Sequence, residues 1–124
     1  MASTDKKVGY SPTGNLSDVT PQMAGDGVET ALGILGGRWK VMIIFHLFDR
    51  DVLRFSELER AIPGVSQKVL INQLRELEAD GILCRRVYPE VPPKVEYSLT
   101  DWGKEMCPAL DSLLEWGARR PALS

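Results

Sequence analysis

Between Leu58 and Leu77 apolar residues recur at helical spacing, but Ile62-Pro63-Gly64 cuts the repeat in two. Proline has no backbone N–H and glycine readily leaves helical geometry, so no single helix can run through that point. Upstream, Ser56-Glu57-Leu58-Glu59 fits a capping box, with the Ser56 hydroxyl at the helix start and Glu59 reaching back. Downstream, Ser66 opens a longer helix that Asp80-Gly81 closes. Leu70, Leu74 and Leu77 fall on one stripe of it, and at about 100° per residue Lys68, Asn72, Arg75 and Ala79 fall opposite. Two helices about a tight turn, the second with a polar outer face, make a helix-turn-helix.

The flanks extend this motif to a winged helix. A short helix is expected over residues 28–35, ended by Gly36-Gly37. Residues 39–48 are apolar almost all round, as in a buried central helix, and Asp49-Arg50-Asp51 closes them. Residues 82–88 and 94–99 read as strands joined by the loop Pro89-Glu90-Val91-Pro92-Pro93. Pairing Val87 with Val95 sets Leu83 opposite Leu99, Arg85 opposite Tyr97, and Arg86 opposite Glu96 as an ion pair. A last helix starts at Thr100-Asp101 and carries Trp102, Met106, Leu110, Leu113, Leu114 and Trp116, with Pro108 splitting it near Lys104. The expected fold is mainly α with a small β-hairpin. Residues 1–25, rich in Ser, Thr, Gly and Pro, are expected to be a flexible tail ahead of a winged helix-turn-helix domain over 26–124.

The net charge of −2 argues against a broad nucleic-acid coat, but a local basic surface can sit on an acidic body. Lys and Arg outnumber Asp and Glu only over residues 38–97. Cys84 and Cys107 form no CxxC pair and His46 is the single histidine, so neither a metal nor another cofactor is expected. His46, inside an apolar run, reads as a packed core or boundary residue. No nucleophile–base set and no phosphate-cradling glycine loop points to an enzyme. Residues 1–12 hold no apolar leader core, and the apolar run 41–48 is far short of the roughly 20 residues a membrane helix needs. A soluble, cytoplasmic protein without a membrane partner is expected.

The major groove of DNA admits one α-helix, whose N-terminal half reaches base edges. Ser66 and the helix start suit phosphate, Gln67 and Asn72 suit adenine edges, and Lys68 and Arg75 suit guanine or backbone. Arg85, Arg86 and Lys94, with Tyr88 beside them, flank a loop that can follow the backbone or minor groove. Arg54 is a further phosphate candidate, whereas Arg38 and Lys40 read as solvated ends of the central helix. The plainer alternative is a solvated helix face and a surface ion pair of little worth. Trp39, Phe45, Trp102 and Trp116 are candidates to line an apolar small-molecule effector cavity at a dimer interface, or are plain core. Cys84, next to Arg85, is the candidate redox thiol or else an inert strand cysteine; Cys107 reads as packed. Leu110, Leu113, Leu114 and Trp116, with Ala31 and Leu35, offer more apolar surface than so small a domain can cover, which points to a homodimer.

The runs Gly36-Gly37-Arg38-Trp39-Lys40, Leu53-Arg54-Phe55-Ser56-Glu57-Leu58, Ile62-Pro63-Gly64-Val65-Ser66-Gln67-Lys68 and Lys94-Val95-Glu96-Tyr97-Ser98-Leu99-Thr100 strongly resemble the HxlR-type winged-helix regulators. The resemblance covers residues 27–117. It implies a homodimer joined by its first and last helices and bound to double-stranded DNA at inverted repeats. It also implies that Ser66, Gln67, Lys68 and the wing arginines form the DNA side. Many members of that family carry a reactive Cys before the first helix, in a Cys-Pro-Val-Glu run; Asp26-Gly27-Val28-Glu29 stands there in this chain. Control by a small molecule at the dimer interface is therefore expected in place of thiol sensing at that position. The expected function is sequence-specific transcriptional regulation, as repressor or activator. The competing reading is a winged helix that binds a protein and not DNA.

Overall fold

The computed structural model describes residues 18–122, which belong to two compact units, Met1–Gly36 and Gly37–Ser124. The first unit contributes one described helix, α1 (Pro21–Ile34). Its start carries two signals: Thr20 Oγ1 accepts the Met23 N–H at 3.2 Å, and Pro21 fills the first turn, where no N–H is needed. Helix α1 thus begins well before residue 28, where apolar spacing alone put it. Of the tail expected over residues 1–25, residues 1–17 lie outside the described residues and residues 21–25 are helical. None of the α1 residues is buried.

The second unit runs α2 (Arg38–Arg50), β1 (Val52–Arg54), α3 (Phe55–Ala61), α4 (Gln67–Ala79), β2 (Leu83–Tyr88), β3 (Lys94–Leu99), α5 (Asp101–Lys104) and α6 (Cys107–Ala118). Its core is formed by Ile43, Ile44 and Leu47 of α2, Leu58 of α3, and Leu70, Leu74 and Leu77 of α4, all at most 1% exposed. Each such side chain contributes about 1.5–3 kcal/mol relative to full exposure. Helix α2 buries one face, against α4 and β3, not its whole circumference. Val41, Met42, Phe45, His46 and Phe48 remain half-buried.

Lys40 corrects its expectation as a solvated helix end. It is 6% exposed, and its Nζ lies 2.6 Å from Glu76 Oε1. The stem packs under the helix pair while its charge meets a carboxylate at the surface of α4.

Asp51, at φ +61°, ends α2, and the chain passes through β1 directly into α3. The Arg54 N–H donates to Glu57 Oε1 at 2.8 Å. The carboxylate that reaches back is therefore Glu57, not Glu59, because the helix starts one residue ahead of Ser56. Gly64, at φ +92°, makes the tight turn, and Ser66 Oγ accepts the Val69 N–H at 3.1 Å to start α4 where expected.

The hairpin has the expected register, with Val87 opposite Val95 and Arg85 opposite Tyr97. Strand β1 adds an unexpected third member, giving the order β1-β3-β2 with Leu53 opposite Tyr97 and Arg54 opposite Glu96. The last helix divides as expected, into α5 and α6. Thr100 Oγ1 accepts the Gly103 N–H and donates to the Gly81 carbonyl, tying the start of α5 to the end of α4. Gly103 lies against the Ile82 carbonyl oxygen, where no Cβ fits.

Candidate nucleic-acid interface

The stripe of buried leucines turns the opposite face of α4 outward. Ser66, Gln67, Lys68, Asn72 and Arg75 are all exposed there. Lys68 and Arg75 form no ion pair among the described residues, so neither must break one to take a phosphate or a base. Gln67, Lys68, Asn72 and Arg75 border one shallow hollow with Ile71.

On the hairpin the charges are organised by Tyr88. The Arg86 guanidinium stands 4.9 Å from its ring centroid and Lys94 Nζ 4.3 Å, both at cation–π distance. The Tyr88 hydroxyl donates to Glu96 Oε1 at 2.9 Å, and Lys94 Nζ lies 3.7 Å from Glu96 Oε2. The Arg86–Glu96 ion pair expected from the register does not form. Cross-strand alignment holds, but Tyr88, two residues along the same strand, takes the guanidinium, and Glu96 is engaged by Lys94 and the phenol. Its hydrogen bond to the Glu96 carboxylate, followed by loss of solvent, pushes the Tyr88 phenol above its ordinary value, so it stays a donor. Arg85 leans instead toward α4, with Nε 3.5 Å from Glu78 Oε1.

The β1–β3 pairing brings Arg54 to the wing. Arg54, Ser56, Pro93 and Lys94 border one hollow with Phe55 and Val95. Ser56 and Pro93 are members of this surface that sequence reasoning missed. With Arg54 at the cap position and Glu57 reaching back to its N–H, the Ser56 hydroxyl is left exposed and forms no hydrogen bond among the described residues; a reading that set the helix start at Arg54-Phe55 would have found it.

The other candidates do not converge. Trp39 is half-buried, with the Arg38 guanidinium 4.5 Å from its ring centroid. Phe45 meets Phe48 edge-on at 5.8 Å and shares a hollow with Met42, His46 and Asp49. Trp102 is 50% exposed and Trp116 71%, so within one chain the four aromatics do not wall an enclosed cavity. Cys84 is exposed, its Sγ 3.2 Å from Ser98 Oγ. Desolvation, and then the Asp111 carboxylate, push the Cys107 thiol up. Among the described residues no group of His, Cys, Asp and Glu is placed to hold a metal ion, and no single helix is long and apolar enough to cross a membrane.

Residues 34–122 match the family described as HxlR-like helix-turn-helix. An HTH-type transcriptional regulator of Methanothermobacter thermautotrophicus is 52% identical over 90 residues, covering 73% of this chain and 68% of the relative. The redox regulator HypR in its reduced form is 48% identical, with a TM-score of 0.70 over 74% of this chain and 90% of that one. A MarR-family transcriptional regulator of Enterococcus faecalis V583 reaches a TM-score of 0.73 at 38% identity, over 85% of this chain and 92% of that one. These relatives are regulators of transcription, not enzymes.

Proposed function

The chain belongs to the HxlR-like helix-turn-helix family of transcriptional regulators, and on that premise we propose that it binds an inverted-repeat operator in the cytoplasm as a homodimer. Helix α4 enters the major groove. Gln67 and Asn72 read base edges, Lys68 and Arg75 take guanine or phosphate, and Ser66 holds the backbone at the helix start. Arg86 and Lys94, held against Tyr88, follow the flanking backbone with Arg85 and Arg54.

The observation that carries this reading is the outer face of α4, where Gln67, Lys68, Asn72 and Arg75 are exposed side by side and the two cations form no ion pair among the described residues. A helix that merely faced water would be expected to pair its charges along its own length. The dimer is supported by apolar side chains on both terminal helices. Met23, Val28 and Leu32 are exposed on α1, and Leu113, Leu114 and Trp116 on α6. A two-fold partner would cover them and supply a second α4.

Selection of bound sequences from random DNA, followed by footprinting, tests the proposal. A palindromic site with half-sites about one helical turn apart, roughly 34–36 Å, is the expected result. Failure to enrich any sequence, with the protein folded and salt-independent in its DNA affinity, would favour the protein-binding alternative.

A further inference from the structure

Tyr88 is the last residue of β2 and Lys94 the first of β3, so this pair closes the ladder where the loop 89–93 begins. Pro89, Pro92 and Pro93 in that loop have no N–H to give a ladder, so order at this end of the wing rests largely on side chains. Register sets Arg86 opposite Glu96 and Tyr88 opposite Lys94. Residues two apart along a strand share a face, so all four side chains leave the same face of the sheet. Arg54, opposite Glu96 on β1, joins that face.

Every part of the Tyr88 side chain is engaged there. Its ring meets Arg86 and Lys94 at cation–π distance, its hydroxyl donates to Glu96, and its carbonyl accepts the Glu90 N–H at 2.8 Å. A phenol has a single proton to donate and a DNA phosphate only accepts, so with that proton on Glu96 the hydroxyl has nothing to give a phosphate. The cations do. An ammonium and a guanidinium each carry several N–H groups, and Arg86 forms no ion pair among the described residues. Two long side chains free in water would each lose rotamer freedom on reaching a phosphate; held on one ring, Arg86 and Lys94 have lost much of it beforehand. We infer that Tyr88 is a positioning residue for DNA binding: without touching DNA, it pre-orders Arg86 and Lys94 for the backbone phosphates beside α4. Glu96 anchors the ring through the hydroxyl and holds Lys94 on the same side. The target of the two cations rests on the DNA-binding reading; their ordering by Tyr88 does not.

The test uses the full chain, first without DNA. NMR relaxation at Arg86 Nε and Lys94 Cε should give high order parameters in the parent and clearly lower ones in Tyr88→Leu. Tyr88→Phe, which loses only the Glu96 contact, should lie between them; it keeps the ring, so the comparison survives even if Tyr88→Leu unfolds. On the selected operator Tyr88→Leu should weaken binding about tenfold, and Tyr88→Phe less. In an Arg86→Ala, Lys94→Ala chain the same Tyr88→Leu change should add no further loss. A merely structural role would weaken binding alike in both backgrounds. Equal order parameters in the parent and the Tyr88 variants, or an equal loss of affinity in both backgrounds, would overturn the inference. A parent whose two cations are set loose by Tyr88→Leu, but which enriches no sequence and binds no random duplex, would overturn the operator proposal and leave the ordering of the wing standing.

Discussion

Helices α4 and α6 are close in length, 13 and 12 residues, and they differ in what they leave outside. Helix α4 buries three leucines and turns Gln67, Lys68, Asn72 and Arg75 to water. Helix α6 buries only Leu110 and leaves Leu113, Leu114 and Trp116 in solvent. A polar face is stable in water and needs nothing further, whereas an apolar face of that kind is completed only by another surface. The same packing unit thus carries one face suited to a charged, hydrated partner and one suited to a second copy of itself.

The joint between these two helices is the place to break both at once. Gly103 of α5 packs on the Ile82 carbonyl that follows α4. Gly103→Ala forces either the α5 backbone or the β2 entry to move, and should cost about 1–3 kcal/mol or more. Urea unfolding checks the loss, and DNA binding and dimer mass should fall together. A smaller and more selective break is Leu113→Asp with Trp116→Asp. Sedimentation equilibrium should show a monomer, and operator affinity should fall by about 100-fold or more as the second half-site becomes an independent event. A variant that stays dimeric would move the interface elsewhere.

Within the polar face, Lys68→Ala should weaken binding to all sequences alike and lower the salt slope by about one counterion. Gln67→Ala should instead cost about 1–3 kcal/mol on the selected operator and relax one base position. Competition assays on matched and mismatched sites separate the two. The smallest effect concerns Cys107. Because its thiol is pushed up, less thiolate is present at a given pH than for an ordinary cysteine. In a Cys84→Ser background, iodoacetamide labelling of Cys107 should be slow at neutral pH and accelerate only above the usual cysteine range. Fast labelling at pH 7 would contradict the environment described.

The elements legible in the sequence are those whose signals are local. The Pro63-Gly64 turn, the leucine stripe of α4, the alternation of β3 and the Pro-rich loop between β2 and β3 each depend on residues close in the chain, and the hairpin register agrees with them. Strand β1 was not legible. Val52-Leu53-Arg54 has only three residues, and what makes it a strand is its pairing with Tyr97 and its neighbours far along the chain. Lys40 was misread for the same reason, since its burial depends on Glu76 in another helix. Arg86 shows a different limit: register sets which Cα atoms face each other, but a long side chain chooses among several partners, and Tyr88 offered both ring and reach. The polar face of α4 was legible because helical spacing alone sorts it from the core. The assembly of Arg54, Ser56 and Lys94 was not, because it exists only once β1 and β3 pair.

That pairing has a mechanical consequence. Arg54 is at once the last residue of β1 and the cap of α3, and β1 hydrogen-bonds to β3, the middle strand of the sheet. Tilting the hairpin therefore drags the start of α3, and with it the helix-turn-helix, as one stiff lever. Such a lever loses little internal freedom on contact, and it cannot adjust the reach of the wing independently of the reach of α4. Target sequences whose groove geometry changes the spacing between those two contacts should be rejected by shape, even where every base that α4 touches is unaltered.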